Sequence, residues 1–256
     1  MNIQFEGLQL FLIVFVRMTA MISLNPLLAR RNVPPQVRMG FVFFLTVLIA
    51  PTLPAMAQID TFGMLFVMIR EVFIGAIFGV VFQMFYYMLF FVGDFLDTEF
   101  GMSMAKVFDP GTNIQMSVTG NFLTIFFILY IFLTDSHLIL LQLFARSFVA
   151  IPTGSSIAIS AVTEYCIQLF IAIFSLSIRL VLPFAVAEFT LEVAMGVLMK
   201  IIPQIHIFVI NFQLKLLLGM IMLILCAPII GSFIDNYVIV LFENLQRSMS
   251  IMAGFS

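Results

Sequence analysis

Two uncharged apolar runs, Val72–Val92 and Ile114–Thr134, flank a polar island at Gly93–Gln115. Each run is long enough to cross a bilayer core as a helix, which takes about 20 residues. The island reads GDFLDTEFGMSMAKVFDPGTNIQ. It holds four acids (Asp94, Asp97, Glu99 and Asp109), one lysine (Lys106) and a Phe-Asp-Pro-Gly break. In lipid, irregular backbone survives only where protein buries it or where it lines a water-filled path, because unpaired N–H and C=O groups have no water to bond. The sequence therefore predicts a re-entrant or pore-lining loop between two membrane helices.

Composition agrees. Hydrophobic residues make up 63% and charged residues 9% of the 256 residues, against about 45–50% and about 25% in soluble domains. These values exclude an ordinary soluble domain. A net charge of −2, with scattered Lys and Arg, offers no field for nucleic acid. Cys166 and Cys226 lie in apolar runs and read as small buried hydrophobes. Glu6 and the lack of a basic leader make Leu8–Ala29 a retained helix rather than a cleaved signal. The chain has 32 Phe and 18 Met but no Trp, so the usual interfacial Trp belt is missing. That bias reads either as apolar filling or as broad helix contact with other subunits.

Every strong segment has helical length, and none shows the alternation of a membrane barrel. The expected fold is all-α, a polytopic membrane-complex protein of long kinked helical hairpins. Leu8–Ala29 and Met39–Ala57 come first, joined by a loop with Arg30, Arg31 and Arg38. The positive-inside rule puts that loop in the cytoplasm. Phe62–Val92 is too long for one straight span, and Gly75 and Gly79 suggest a tilt or kink. After the island come Ile114–Thr134, ended by Asp135-Ser136-His137, and Leu138–Ala150. Ala158–Lys200 with Pro183, Ile205–Val240 with Pro228, and a mildly amphipathic tail follow.

Charges inside the apolar stretches are the second signal: Arg17, Arg70, Glu71, Glu164, Arg179, Glu188, Glu192, Lys200 and Lys215. A charge at the bilayer centre costs about 2.5–3.5 kcal/mol on insertion scales. Such groups pair across helices or subunits, line a wet path, or snorkel from span ends. Glu188 and Glu192 are four residues apart, the spacing of one helix face, and would be the switch of a small proton-coupled carrier. No third ligand accompanies His137 or His206, so no metal is expected. Neither a Walker loop, a dinucleotide glycine pattern nor a nucleophile elbow is present. The sequence argues for no cofactor and no enzyme.

An ordered set of short motifs resembles one family along nearly the whole chain. Phe15-Val16-Arg17-Met18, Asn25-Pro26 and Arg31-Asn32-Val33-Pro34 look like the opening of FliR-type flagellar biosynthetic proteins, export-gate subunits of type III secretion. Arg70-Glu71 with Gly75 and Gly79 resembles the third-helix motif, and Gly101–Pro110 the central loop. Asp135-Ser136-His137, Ile151-Pro152, Leu182-Pro183 and Pro203-Gln204-Ile205 resemble later segments.

The resemblance implies one subunit over 1–256, pore-forming, in the bacterial inner membrane at the flagellar basal body. It implies a FliP-like part over 1–156, with a plug loop at 93–116, and a FliQ-like hairpin over 157–256. The implied partners are FliP, FliQ, FlhB, unfolded exported proteins and membrane lipid, with no nucleic acid. A homologous role in a virulence injectisome is equally implied. The implied gate residues are Met102, Met104, Lys106, Phe108, Asp109, Pro110, Gly111, Asn113, Gln115 and Met116. Among these, Phe108 and the methionines would seal the pore, since an apolar constriction gates by dewetting. Contacts between subunits would fall to Arg17, Arg70, Glu71, Arg179, Glu188, Glu192, Lys200 and Lys215. A purely structural part in nucleating the assembly, and the proton-coupled carrier, stand as alternatives.

Overall fold

The computed structural model describes residues 2–30, 33–54, 60–103, 117–155, 157–202 and 207–254. Among them the chain forms eight α-helices and no strand. These are α1 (Asn2–Ser23), α2 (Pro35–Ile49), α3 (Thr61–Glu99), α4 (Val118–Leu133), α5 (Ser136–Ala150), α6 (Ile159–Ile201), α7 (Ile207–Leu225) and α8 (Ala227–Met252). The expected all-α architecture is present.

Sequence chemistry sets most of the ends. Pro35 opens α2, where its missing N–H costs nothing and its fixed φ suits the first turn. Asp135 adopts a left-handed φ of 55°, and α4 and α5 bend by 76° at that break. The segment expected as one stretch, Ile205–Val240, is two helices bent by 61°. Pro228 accounts for the break: it has no N–H to bond back to Ile224 and fits without loss in the first turn of a new helix, so α8 starts at Ala227.

Two glycines gain a role that the sequence does not show. Gly75 and Gly79 sit inside the third helix, which is continuous over 39 residues. They let α1 come close: a Cβ on Gly75 would stand 2.6 Å from Ala20 Cβ and 2.7 Å from Arg17 O, and one on Gly79 would strike Leu24. Small residues four apart are the usual means of backbone approach between membrane helices. The island is also shorter than it reads, because α3 continues through Gly93 to Glu99. Leu96 and Asp97 are buried there, and the helix stops at Gly101, whose φ of 75° suits glycine at a helix C-terminus.

The chain divides into two compact units, Met1–Phe85 with Ile131–Phe170 and Ile239–Ser256, and Tyr86–Tyr130 with Ile171–Val238. In the first, Ile13, Val14, Met18 and Met21 of α1 are fully buried, as are Ile74, Val81 and Phe82 of α3. Phe78 meets Phe144 edge-on at 6.3 Å between ring centroids. In the second, buried Leu89, Val92, Leu96, Phe127, Ile234 and Tyr237 form the centre, with Tyr237 packed on Phe127 and Phe233. Large apolar side chains remain exposed in both units, among them Phe62 and Phe66 in the first and Phe122 and Phe189 in the second. Among the described residues, three helical stretches are long and apolar enough to cross a membrane, or up to five if each bent pair is one span.

Candidate functional site

The described edges of the polar island are tied together within the second unit. Asp97, fully buried near the end of α3, accepts hydrogen bonds from Val118 N–H at 2.6 Å and Thr119 N–H at 3.1 Å. Ser117 Oγ accepts from Gly120 N–H at 2.8 Å. The first free N–H groups of α4 are thus met by one carboxylate and one hydroxyl, and the negative charge sits at the positive end of the helix dipole. Just before this, α3 and α4 touch backbone to backbone: a Cβ on Gly93 would collide with Gly120 itself.

The apolar side of the same root is a cavity of about 590 Å³ lined by Met102, Val118, Phe122, Phe126, Met220 and Ile224, among others. Phe100 is fully buried, with its ring 6.1 Å from that of Phe184 and pressed against Gly219. Of the expected gate residues, Met102 lies here. Met104, Lys106, Phe108, Asp109, Pro110, Gly111, Asn113, Gln115 and Met116 lie outside the described residues.

The first unit holds a buried ionic hub. Arg17 Nε donates to Glu71 Oε2, and both side chains are fully buried. The guanidinium also donates to Ser147 O and Ile151 O, each at 3.0 Å, and lies over the Phe148 ring at 4.3 Å. Glu71 Oε1 accepts from Gly154 N–H at 3.2 Å, and Arg70 donates to Gly154 O at 3.3 Å. Two helices, α1 and α3, thereby hold the turn that leaves α5. Arg17 and Glu71 spend their charges on each other inside one chain.

The other expected charges divide. Lys215 pairs with Glu192, the carboxylate side chain about half exposed. Glu188, one turn earlier, is buried, and neither carboxylate oxygen has a hydrogen-bond partner among the described residues. Arg179 and Lys200 are exposed on α6. No group of three or more His, Cys, Asp or Glu stands together among the described residues. Asp97, Ser117, Gly93 and Gly120 were not among the expected site residues. Ser117 carries a local signal, a capping residue just before an apolar helix; the 21-residue reach of Asp97 carries none.

The fold and these buried charges define an all-helical membrane protein whose polar groups are mostly spent on holding helices together. The profile described as "Bacterial export proteins, family 1" matches residues 8–239, and the chain belongs to that family. It is 28% identical to the flagellar biosynthetic protein FliR of Bacillus subtilis (strain 168), covering 94% of this chain and 95% of that one. Against FliR of Escherichia coli (strain K12) the identity is 29%, over 95% and 94%. Against FliR of Pectobacterium carotovorum subsp. carotovorum it is 30%, over 94% and 92%. Membership in an export family puts the chain with transport rather than catalysis.

Proposed function

We propose that this chain is the FliR-type subunit of a flagellar type III protein export gate in the bacterial inner membrane, at the basal body. It assembles with FliP and FliQ, meets FlhB, and helps pass unfolded flagellar proteins. Near-full-length similarity to FliR proteins carries this reading. The part over 1–156 acts as the FliP-like element and 157–256 as the FliQ-like hairpin. The loop over 93–116 plugs the closed channel, with Met102, Met104, Phe108 and Met116 as its apolar seal and the polar residues between them facing water.

The capped and glycine-locked root of that loop supports the reading, because a plug needs a fixed mount. Of the charges assigned to contacts between subunits, Arg179 and Lys200 are exposed and available for that role, with the half-exposed Glu192–Lys215 pair beside them. Native mass spectrometry of the complex purified through this chain should give one large hetero-oligomer. Removing Lys106–Gln115 should leave that assembly intact and raise ion leakage through it. A chain that purifies alone and carries a solute after reconstitution would defeat the reading in favour of a carrier.

A further inference from the structure

Glu188 on α6 is a buried acid with nothing to hold it. The residue is 1% exposed, and neither carboxylate oxygen has a hydrogen-bond partner among the described residues. One turn before it, Phe184 is buried with its ring against Phe100, and Phe100 also presses on Gly219, one turn after Lys215 on α7. One turn after it, Glu192 takes the Lys215 ammonium. Glu188 therefore lies between an apolar contact and an ion pair that join the same two helices. The charged groups that act on it are Lys215 of α7, Glu99 at the end of α3 and Glu192 on its own helix. Two of these three are acids, and the one cation is already taken by Glu192. An ionised carboxylate buried without hydrogen bonds carries a heavy desolvation penalty, and like charges nearby add to it. A protonated carboxyl avoids both.

We propose that Glu188 is a proton-binding site, and that loss of its proton draws Lys215 away from Glu192. The reach is short. The two carboxyls are one turn apart on one helix face, about 6 Å along the axis at about 1.5 Å per residue. A lysine covers that with its flexible four-carbon stem. The balance of charges favours the exchange. Half-exposed Glu192 returns to water at little cost, whereas an ionised Glu188 left buried and unpaired is strongly unfavourable. The proton thus decides at which of two points, one turn apart, α6 and α7 are fastened. All four groups belong to one chain and one compact unit, so the inference does not depend on the assembly proposed above.

The test uses the protein as purified through this chain and reads the proton at Glu188 directly. Dicyclohexylcarbodiimide modifies protonated carboxyls in apolar surroundings, and peptide mass spectrometry locates the adduct. The adduct at Glu188 should form at about pH 6 and fall about tenfold or more by about pH 9, both above the ordinary glutamate range near about 4.3. Glu192→Gln frees Lys215 for Glu188 and should cut the adduct several-fold at intermediate pH. Lys215→Met removes the cation and should keep the adduct high as the pH rises. A Glu188 that only fills space would give the same adduct in all three chains. Infrared difference spectra between the two pH values need no reagent to enter: a carboxylic-acid C=O band should fade on raising the pH and be missing from Glu188→Gln. Absence of both adduct and band, or indifference of both to Glu192→Gln and Lys215→Met, would overturn the inference. A chain that purifies without other subunits would count against the functional reading alone and leave this one to the same measurements.

Discussion

Replacing Arg17 by Met should be among the most damaging single changes in the first unit. The substitution keeps an unbranched side chain of similar length but removes the charge. Glu71 then keeps only the 3.2 Å bond from Gly154 N–H while fully buried. Stranding one member of a buried pair costs about 3–5 kcal/mol. The two carbonyls fare differently. Ser147 O still accepts from Ile151 N–H at 2.9 Å, whereas Ile151 O loses the guanidinium that both terminal nitrogens supplied. Glu71→Leu should cost a similar amount, since it leaves the cation buried. In Arg17→Met/Glu71→Leu no charge remains, and the cost falls chiefly to the orphaned Ile151 O, about 1–3 kcal/mol, with a smaller part from the part-buried Gly154 N–H that loses Glu71 as its acceptor. The coupling between the two sites should therefore reach or pass the upper end of the usual range of about 0.5–3 kcal/mol for residues in contact. Thermal loss of the detergent-solubilised protein reads this out. At about 2–4 °C per kcal/mol for a protein of this size, each single change should lower the midpoint by roughly 6–20 °C, and the double change by less than either. Additive effects would refute the reasoning. So would normal stability of the single variants outside the assembled complex with loss only inside it, because the pair would then act between chains.

Three further outcomes follow from the second unit. Asp97→Ala removes two bonds to the start of α4 and should cost about 0.5–2 kcal/mol, visible as faster proteolysis between Met102 and Ser117 in the intact complex. Gly120→Ala should cut the level of folded chain, since its Cβ would meet Phe90 O at 2.9 Å and Ser117 Oγ at 2.9 Å; unchanged expression and melting would show that the helices can separate. Glu192→Gln should shift the melting point little, by an interaction worth about 0.2–1 kcal/mol, because its pair with Lys215 is half in solvent.

How far the sequence could be read depends on the range of each interaction. Helix type and most helix positions followed from local patterns: apolar runs and the Asp135-Ser136-His137 break. The break at Cys226 was missed because an apolar run hides a bend, although Pro228 marked it. Charges within the spans were visible, but their partners were not. Arg17 and Glu71 are separated by 54 positions, and the carbonyls that Arg17 binds lie further still. Periodicity cannot encode such distances. Gly93 and Gly120 were invisible for the same reason: a glycine that permits a crossing looks, in one dimension, like a glycine that weakens a helix.

That crossing has a mechanical consequence. Val92, Asp94, Thr119 and Asn121 all carry side chains, so a slip of either helix by one residue would drive a Cβ into the opposing backbone. A twist about either axis does the same. The contact thus works as a key in a keyway, with one setting along the axis and one around it. Any rearrangement of this unit has to carry the touching parts of α3 and α4 as a single strut, and its compliance must come from the joints that carry no such key, at Gly101 and at Cys226.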